Sequence, residues 1–276
     1  METKQNDMTP HEAAEALRWL AEMGADEIIG ENPVDRTLAS PPPGPAKRGQ
    51  GEAGAPAAAP AASRPAPASP GQPLAAGPSP AAACQSLEEI REALERFDAC
   101  PLRKTATRTC FADGNPAARV MLVGEAPGRD EDIQGKPFVG RSGQLLDRML
   151  ASVGLSRTAQ DRESAVFITN VIFWRPPGNR TPTEAESQMC LPFLIRTIEL
   201  QQPDVIVCLG ATPAHRLTGK ADGILKLRGK WVTASVGGRN IPLLPTLHPA
   251  YLLRQPAQKR LAWRDMLSLR QMLDAH

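Results

Sequence analysis

Four short, continuous apolar runs punctuate the chain beyond residue 117: ARVMLVGE (118–125), AVFITNVI (165–172), PDVIVCLG (203–210) and NIPLLPTLHP (240–249). Between and after them the apolar positions take up a helical period, in SGQLLDRMLASVG (142–154), TEAESQMCLPFLIRTIELQQ (183–202), ATPAHRLTG (211–219) and a last stretch near 257–275. A serine-capped amphipathic helix, SLEEIREALERF (86–97), precedes them all. Unbroken apolar strands separated by helices predict an α/β fold, a parallel sheet covered on both faces. Ligand sites in such sheets collect where the strands run out at their carboxyl edge.

The first third of the chain has a different pattern. Thr9, Pro10 and Glu12 make a helix start, with Ala13, Leu17, Leu20 and Ala21 on one face and Gly24 as a stop. This acid-rich region (1–36) reads equally as a partner-docking helix and as a weakly ordered tail. From 37 to 84 Pro, Ala, Gly and Ser dominate. Such a segment buries too little apolar surface to offset its ordering entropy, so a disordered linker is expected there, with the folded domain at 85–276.

Composition narrows the picture only slightly. The net charge of +2 over 276 residues does not by itself announce a nucleic-acid binder, although Arg254, Lys259, Arg260, Arg264 and Arg270 concentrate positive charge near the end. The five cysteines show no pairing rhythm. No secretory or membrane-spanning segment is legible, and a reducing cytoplasm fits best.

The candidate chemistry sits where the strands end. After the first comes GEAPGRDED (124–132), small residues that let backbone N–H groups approach a ligand, with Glu125 and Glu131 beside them. GKPFVGRSG (135–143) sets Phe138 in a glycine-flanked loop, where its ring can stack on a planar base. The second strand ends at Asn170, whose carboxamide complements the donor and acceptor on uracil's edge and mismatches those of cytosine. The fourth runs into HPAYLLR (248–254), where His248 can donate to an oxygen that gains charge and Leu252, Leu253 and Arg254 suit a wedge that enters the base stack. A turn, a plug or a solvated face accounts for each element alone. Their joint placement on successive strand ends is the informative feature.

These segments, with ITN (168–170) and RPPGNRTPT (175–183), closely resemble the family-4 uracil-DNA glycosylases from about Ser86 to the C-terminus. The resemblance implies a three-layer α/β/α sandwich around a short, mainly parallel four-stranded sheet. It implies an enzyme that flips uracil out of DNA and hydrolyses its N-glycosidic bond. Phe138, Asn170, the backbone at Ala126 and His248 match uracil-binding groups, while Glu125, Glu131, Asn179 and His248 match catalytic ones. Arg141, Ser142, Tyr251, Leu252, Leu253 and Arg254 are the expected DNA contacts. Between the two glutamates, the expectation gives the water to Glu131 and loop organisation to Glu125.

The family also holds a [4Fe–4S] cluster on four cysteines. Here Cys100 and Cys190 fall on matching positions, but Phe97 and Trp174 take the other two. No metal or cofactor requirement is therefore expected, and Phe97 should pack on Trp174 where the cluster would sit. Cys110 and Cys208 read as small buried residues within strands. The expected partner is uracil-containing DNA, single- or double-stranded, met by a monomer. Relatives that trap uracil covalently carry a basic, histidine-bearing insertion after the second strand. FWRPPGNRTP runs on without one, and a non-catalytic DNA-binding module is disfavoured by the retained Glu125, Glu131, Asn170, Asn179 and His248.

Overall fold

The structure, a computed structural model, describes residues 79–275. The N-terminal helix and nearly all of the Pro/Ala-rich linker expected from sequence lie outside the described residues. The exception is the linker's end. Residues Pro80–Ala83 form a 3₁₀ turn with Ala81 buried, and Arg196 Nε donates to the Cys84 carbonyl at 2.9 Å, so the packed domain reaches back past Ser86.

In chain order the elements are α1 (Leu87–Glu95), β1 (Ala112–Gly114), β2 (Val120–Gly124), α2 (Arg129–Gln134), α3 (Arg141–Ala151), β3 (Val166–Asn170), α4 (Glu184–Gln201), β4 (Val205–Leu209), α5 (Ala211–Thr218), α6 (Ile224–Leu227), β5 (Val232–Val236), β6 (Arg239–Thr246), α7 (Pro249–Arg254) and α8 (Lys259–Asp274). Local chemistry starts and stops them. Ser86 accepts from the Glu89 N–H to cap α1, Thr183 and Glu186 close a capping box on α4, and Gly219 ends α5 in the left-handed region.

The six strands lie in the order β1-β3-β2-β4-β6-β5. The central four, β3-β2-β4-β6, are parallel and are the four apolar runs of the sequence. Both outer strands are antiparallel additions that the sequence pattern did not reveal. Alternation along each central strand feeds two cores. Met121 and Val123 pack with Ile90, Phe193 and Ile198 on one side; Val120 and Leu122 pack with Leu146, Leu150, Met266 and Leu269 on the other. Both faces are dry, which is why these strands read as unbroken apolar runs.

Three-layer packing brings Gly124, Asn170, Leu209 and Thr246, the last residues of the four parallel strands, to one edge. The end of β6 is fixed from below by a buried ionic group. Arg228 pairs with Asp265, and Asp265 accepts from the Thr246 hydroxyl at 2.6 Å. A buried carboxylate is tolerated when it is paired and hydrogen-bonded in this way.

Candidate active site

At the carboxyl edge lies a cavity of about 440 Å³. Its walls include Glu125, Ala126, Glu131, Phe138, Ser142, Asn170, Asn179, His248, Tyr251 and Arg254. Ten of the residues singled out from sequence thus converge on one space. Arg141 is exposed on the first turn of α3 beside Ser142, and Leu253 is half-buried on α7. Leu252 departs from expectation: it is 1% exposed and packs among Leu145, Leu247 and Ala262, so it anchors α7 and is not a surface wedge. Cys110 also departs, because it precedes β1 and is in no strand. It is nevertheless buried, its thiol reaching the Glu131 carbonyl at 3.0 Å, and burial pushes that thiol up to about 12.

The two glutamates are held very differently. Glu131 accepts from the backbone N–H groups of Gly128 at 3.1 Å, Val139 at 2.9 Å and Gly140 at 2.9 Å. It cross-links the GEAPG turn to the loop that carries Phe138. Glu125 accepts from the Thr212 hydroxyl at 2.6 Å through one oxygen, and it lines the cavity.

Phe138 sits at φ 55°, in the left-handed region where a side chain is uncommon. Two residues, Arg157 and Gly143, hold it there. Arg157 donates to the Pro137 carbonyl at 3.0 Å and to the Phe138 carbonyl at 2.8 Å, and the same guanidinium pairs with Asp113 and Asp147. Position 143 has to be glycine, because a Cβ there would lie 1.8 Å from the Phe138 carbonyl oxygen.

Gly124 performs a similar service inside the cavity. A Cβ on it would come within 2.3 Å of Asn170 Oδ1 and 2.6 Å of two Phe138 ring carbons. Ring and carboxamide are therefore pressed together across a bare backbone. Asn170 is 1% exposed, and its Oδ1 is buried with no hydrogen-bond partner in the protein. Such an atom costs about 1–3 kcal/mol when left unpaired, and a ligand is one way to satisfy it. Substituting Gly124→Ala is expected to separate the two groups and lower activity at least tenfold, ~1.4 kcal/mol. Steady-state turnover, with the melting temperature as a control for folding, checks this.

His248 caps α7: the Ala250 N–H donates to its Nδ1 at 3.1 Å. Nδ1 is thus an acceptor, so the ring proton of the neutral imidazole is on Nε2. Burial, with Arg254 nearby, pushes the imidazolium pKa down to about 4. The ring leans over Phe138, with centroids 5.6 Å apart at 34°.

Outside the cavity lining, the four positions that hold the family's iron–sulfur cluster contain Phe97, Cys100, Trp174 and Cys190. Phe97 stacks on Trp174 (centroids 6.2 Å apart, 15° between planes), as expected, and meets Phe193 edge-on at 5.0 Å. Trp174 is fully buried and donates to Thr109 Oγ1 at 3.1 Å. The thiols of Cys100 and Cys190 influence each other, which draws the first below the ordinary thiol range, while that coupling and burial drive the second above it. With two thiols and two packed aromatic rings, these residues do not fit a four-thiolate cluster.

Arg157 and Thr212 are site residues that sequence reading missed. Nothing in the pattern marks Arg157, while Thr212 opens α5 directly after the end of β4, a strand end like those that carry the other site residues.

Comparison with known proteins agrees with this geometry. A family model described as the uracil DNA glycosylase superfamily matches residues 111–267. The chain is 43% identical over 169 residues to a type-4 uracil-DNA glycosylase of Thermotoga maritima, covering 61% of this chain and 83% of that protein. It is 40% identical over 176 residues to a type-4 uracil-DNA glycosylase of Archaeoglobus fulgidus (62% and 85% covered). The type-4 uracil-DNA glycosylase of Saccharolobus solfataricus is 37% identical over 195 residues (69% and 88% covered). The cavity, the sheet edge that builds it and these matches agree: the chain belongs to the uracil DNA glycosylase superfamily, among its type-4 members.

Proposed function

We propose that this protein excises uracil from DNA, hydrolysing the bond between the base and deoxyribose to leave an abasic site and free uracil. The observation that carries this is the convergence of three groups on one cavity: the Asn170 carboxamide with its orphaned oxygen, the Phe138 ring and the Nε2–H of His248. A flipped uracil stacks on Phe138 and offers N3–H and O4 to Asn170. Cytosine presents an acceptor and a donor at those positions, so it leaves the buried amide mispaired.

As the C1′–N1 bond breaks, its electron pair passes to the base and negative charge grows on O2. His248 donates from Nε2 to that oxygen, and the backbone at Ala126 lines the same side. The sugar becomes cationic and is attacked by water. Glu125 orients this water, takes its proton and offsets the positive sugar. Glu131, committed to three backbone donors, holds the loops in place in this reading, which exchanges the two roles expected from sequence. Asn179, exposed at the cavity mouth and bonded to Arg175 at 2.8 Å, meets the strand around the lesion in this reading, in place of the catalytic role expected from sequence. Arg141, Ser142, Tyr251, Leu253 and Arg254 face the flanking phosphates and the vacated stack.

The reaction needs no cofactor in this reading. The protein acts as a monomer on single- or double-stranded DNA, in a reducing cytoplasm. Among the described residues no helix is long and apolar enough to cross a membrane, and the described cysteines are unpaired and buried. Release of free uracil, measured by chromatography from matched oligonucleotides holding uracil, cytosine or thymine, tests the assignment. Release from the uracil strand alone is expected, and equal release from all three, or none, would refute it.

The pH dependence has a definite sign. With its folded pKa near 4 against an ordinary value of 6.5, His248 stays neutral through the physiological range. Its contribution to stability is complete above pH 6.5 and is lost as pH falls from there towards 4. Profiles of kcat/KM should therefore show no histidine inflection at about 6.5, the value of a free imidazole. An inflection there that vanished in a His248 variant would contradict the neutral ring.

A further inference from the structure

We infer that Thr212 is a positioning residue for the water-orienting carboxylate, and that the junction between β4 and α5 sets the spacing of the catalytic pair. The inference rests on the reading of Glu125 given above. Thr212 is the second residue of α5, and its hydroxyl donates to Glu125 Oε2 at 2.6 Å across 87 positions of sequence. The same junction touches the other catalytic group. Gly210, at φ 106°, packs beside His248, where an added Cβ would lie 3.5 Å from the histidine Cβ. Its N–H donates to the Thr246 carbonyl at 3.0 Å, which pins the junction to the strand leading into His248.

The contrast with Glu131 gives this contact its meaning. Three backbone amides fix Glu131, so its direction follows from the loop fold. Glu125 has a side-chain donor from a different element. A carboxylate free to rotate about its last torsion presents its lone pairs over a broad range, since that torsion is soft. Engaging Oε2 with Thr212 leaves Oε1 as the oxygen to take a water. Near-attack geometry depends on such placement, and a misplacement of about 1 Å is enough to cost large factors in rate.

The test compares Thr212→Val, which keeps the shape and removes the donor, with Thr212→Ser, which keeps the donor. Both are assayed by single-turnover and steady-state excision on a uracil oligonucleotide, alone and combined with Glu125→Gln. Thr212→Val is expected to lower kcat about 10-fold with KM unchanged, a fraction of the ~10²–10⁴ contributed by a positioned acid–base group. Thr212→Ser should recover most of that rate. Placed on Glu125→Gln, Thr212→Val should add little, since the two changes act through one interaction. Normal turnover in Thr212→Val, equal loss in Thr212→Ser, or full additivity with Glu125→Gln would overturn the inference. Near-normal turnover in Glu125→Gln itself would instead remove the parent reading, whatever Thr212 does.

Discussion

Replacing His248 with alanine should lower uracil excision by about 10²–10³-fold in kcat, the usual loss when one preorganised donor to a developing oxyanion is removed. The size of the effect follows from how the ring is prepared. Its Nδ1 is occupied by the Ala250 N–H, so its proton is on Nε2, the residue lines the cavity, and it is neutral above about pH 4. A neutral donor in a partly dry site gives little to the ground-state carbonyl and more to the anion, so the loss belongs in kcat. Affinity for uracil-containing DNA, carried mainly by phosphate contacts, should change much less. The same substitution removes the cap of α7, a loss of about 1 kcal/mol, so a small drop in melting temperature is expected alongside. Retention of wild-type turnover would show that another group holds the uracil oxygen.

The second large effect separates the glutamates. Glu125→Gln should lose about 10²-fold or more in kcat, since an amide neither takes a proton from water nor offsets a cationic sugar. Its melting temperature should stay close to that of the parent. Glu131→Gln should do the opposite first. A buried acceptor of three amides is left with a single oxygen, which can keep the Val139 and Gly140 N–H groups but strands that of Gly128, at a cost of about 1–3 kcal/mol. Activity then falls through loss of the Phe138 loop, most steeply near the lowered melting temperature. If instead Glu131→Gln were stable and dead while Glu125→Gln turned over normally, the water would belong to Glu131.

The central strands were legible because both their faces are dry, so their apolar runs are continuous. The outer strands were not. β1 is the three-residue ADG, and β5 is a half-buried edge whose link to β6 is the Gly237–Gly238 turn, with both glycines at positive φ. That glycine pair is a hairpin signal, but the strand before it, VTASV, is too short and too polar to show a buried run. At the site, residue types at strand ends were readable and their orientations were not. Leu252 and Leu253 are neighbours in sequence, yet Leu252 is buried in the cluster under α7 and Leu253 is only half-buried at its margin, because consecutive helix positions point about 100° apart. The two glutamates look alike in GEAPGRDED, and only the amides around Glu131 and the distant Thr212 distinguish them. Arg157 clamps the Phe138 loop from 19 residues away, a contact that no local pattern encodes.

The most direct test incubates iron-free purified protein with a labelled oligonucleotide containing one uracil. Abasic sites are then cleaved with alkali, and a parallel sample is run on a denaturing gel. Strand scission at the uracil, absent with thymine, abolished in His248→Ala and without a protein–DNA adduct, is the predicted result. Scission only after iron and sulfide are restored, an adduct that survives denaturation, or tight binding with no scission would each contradict a cluster-independent hydrolytic glycosylase.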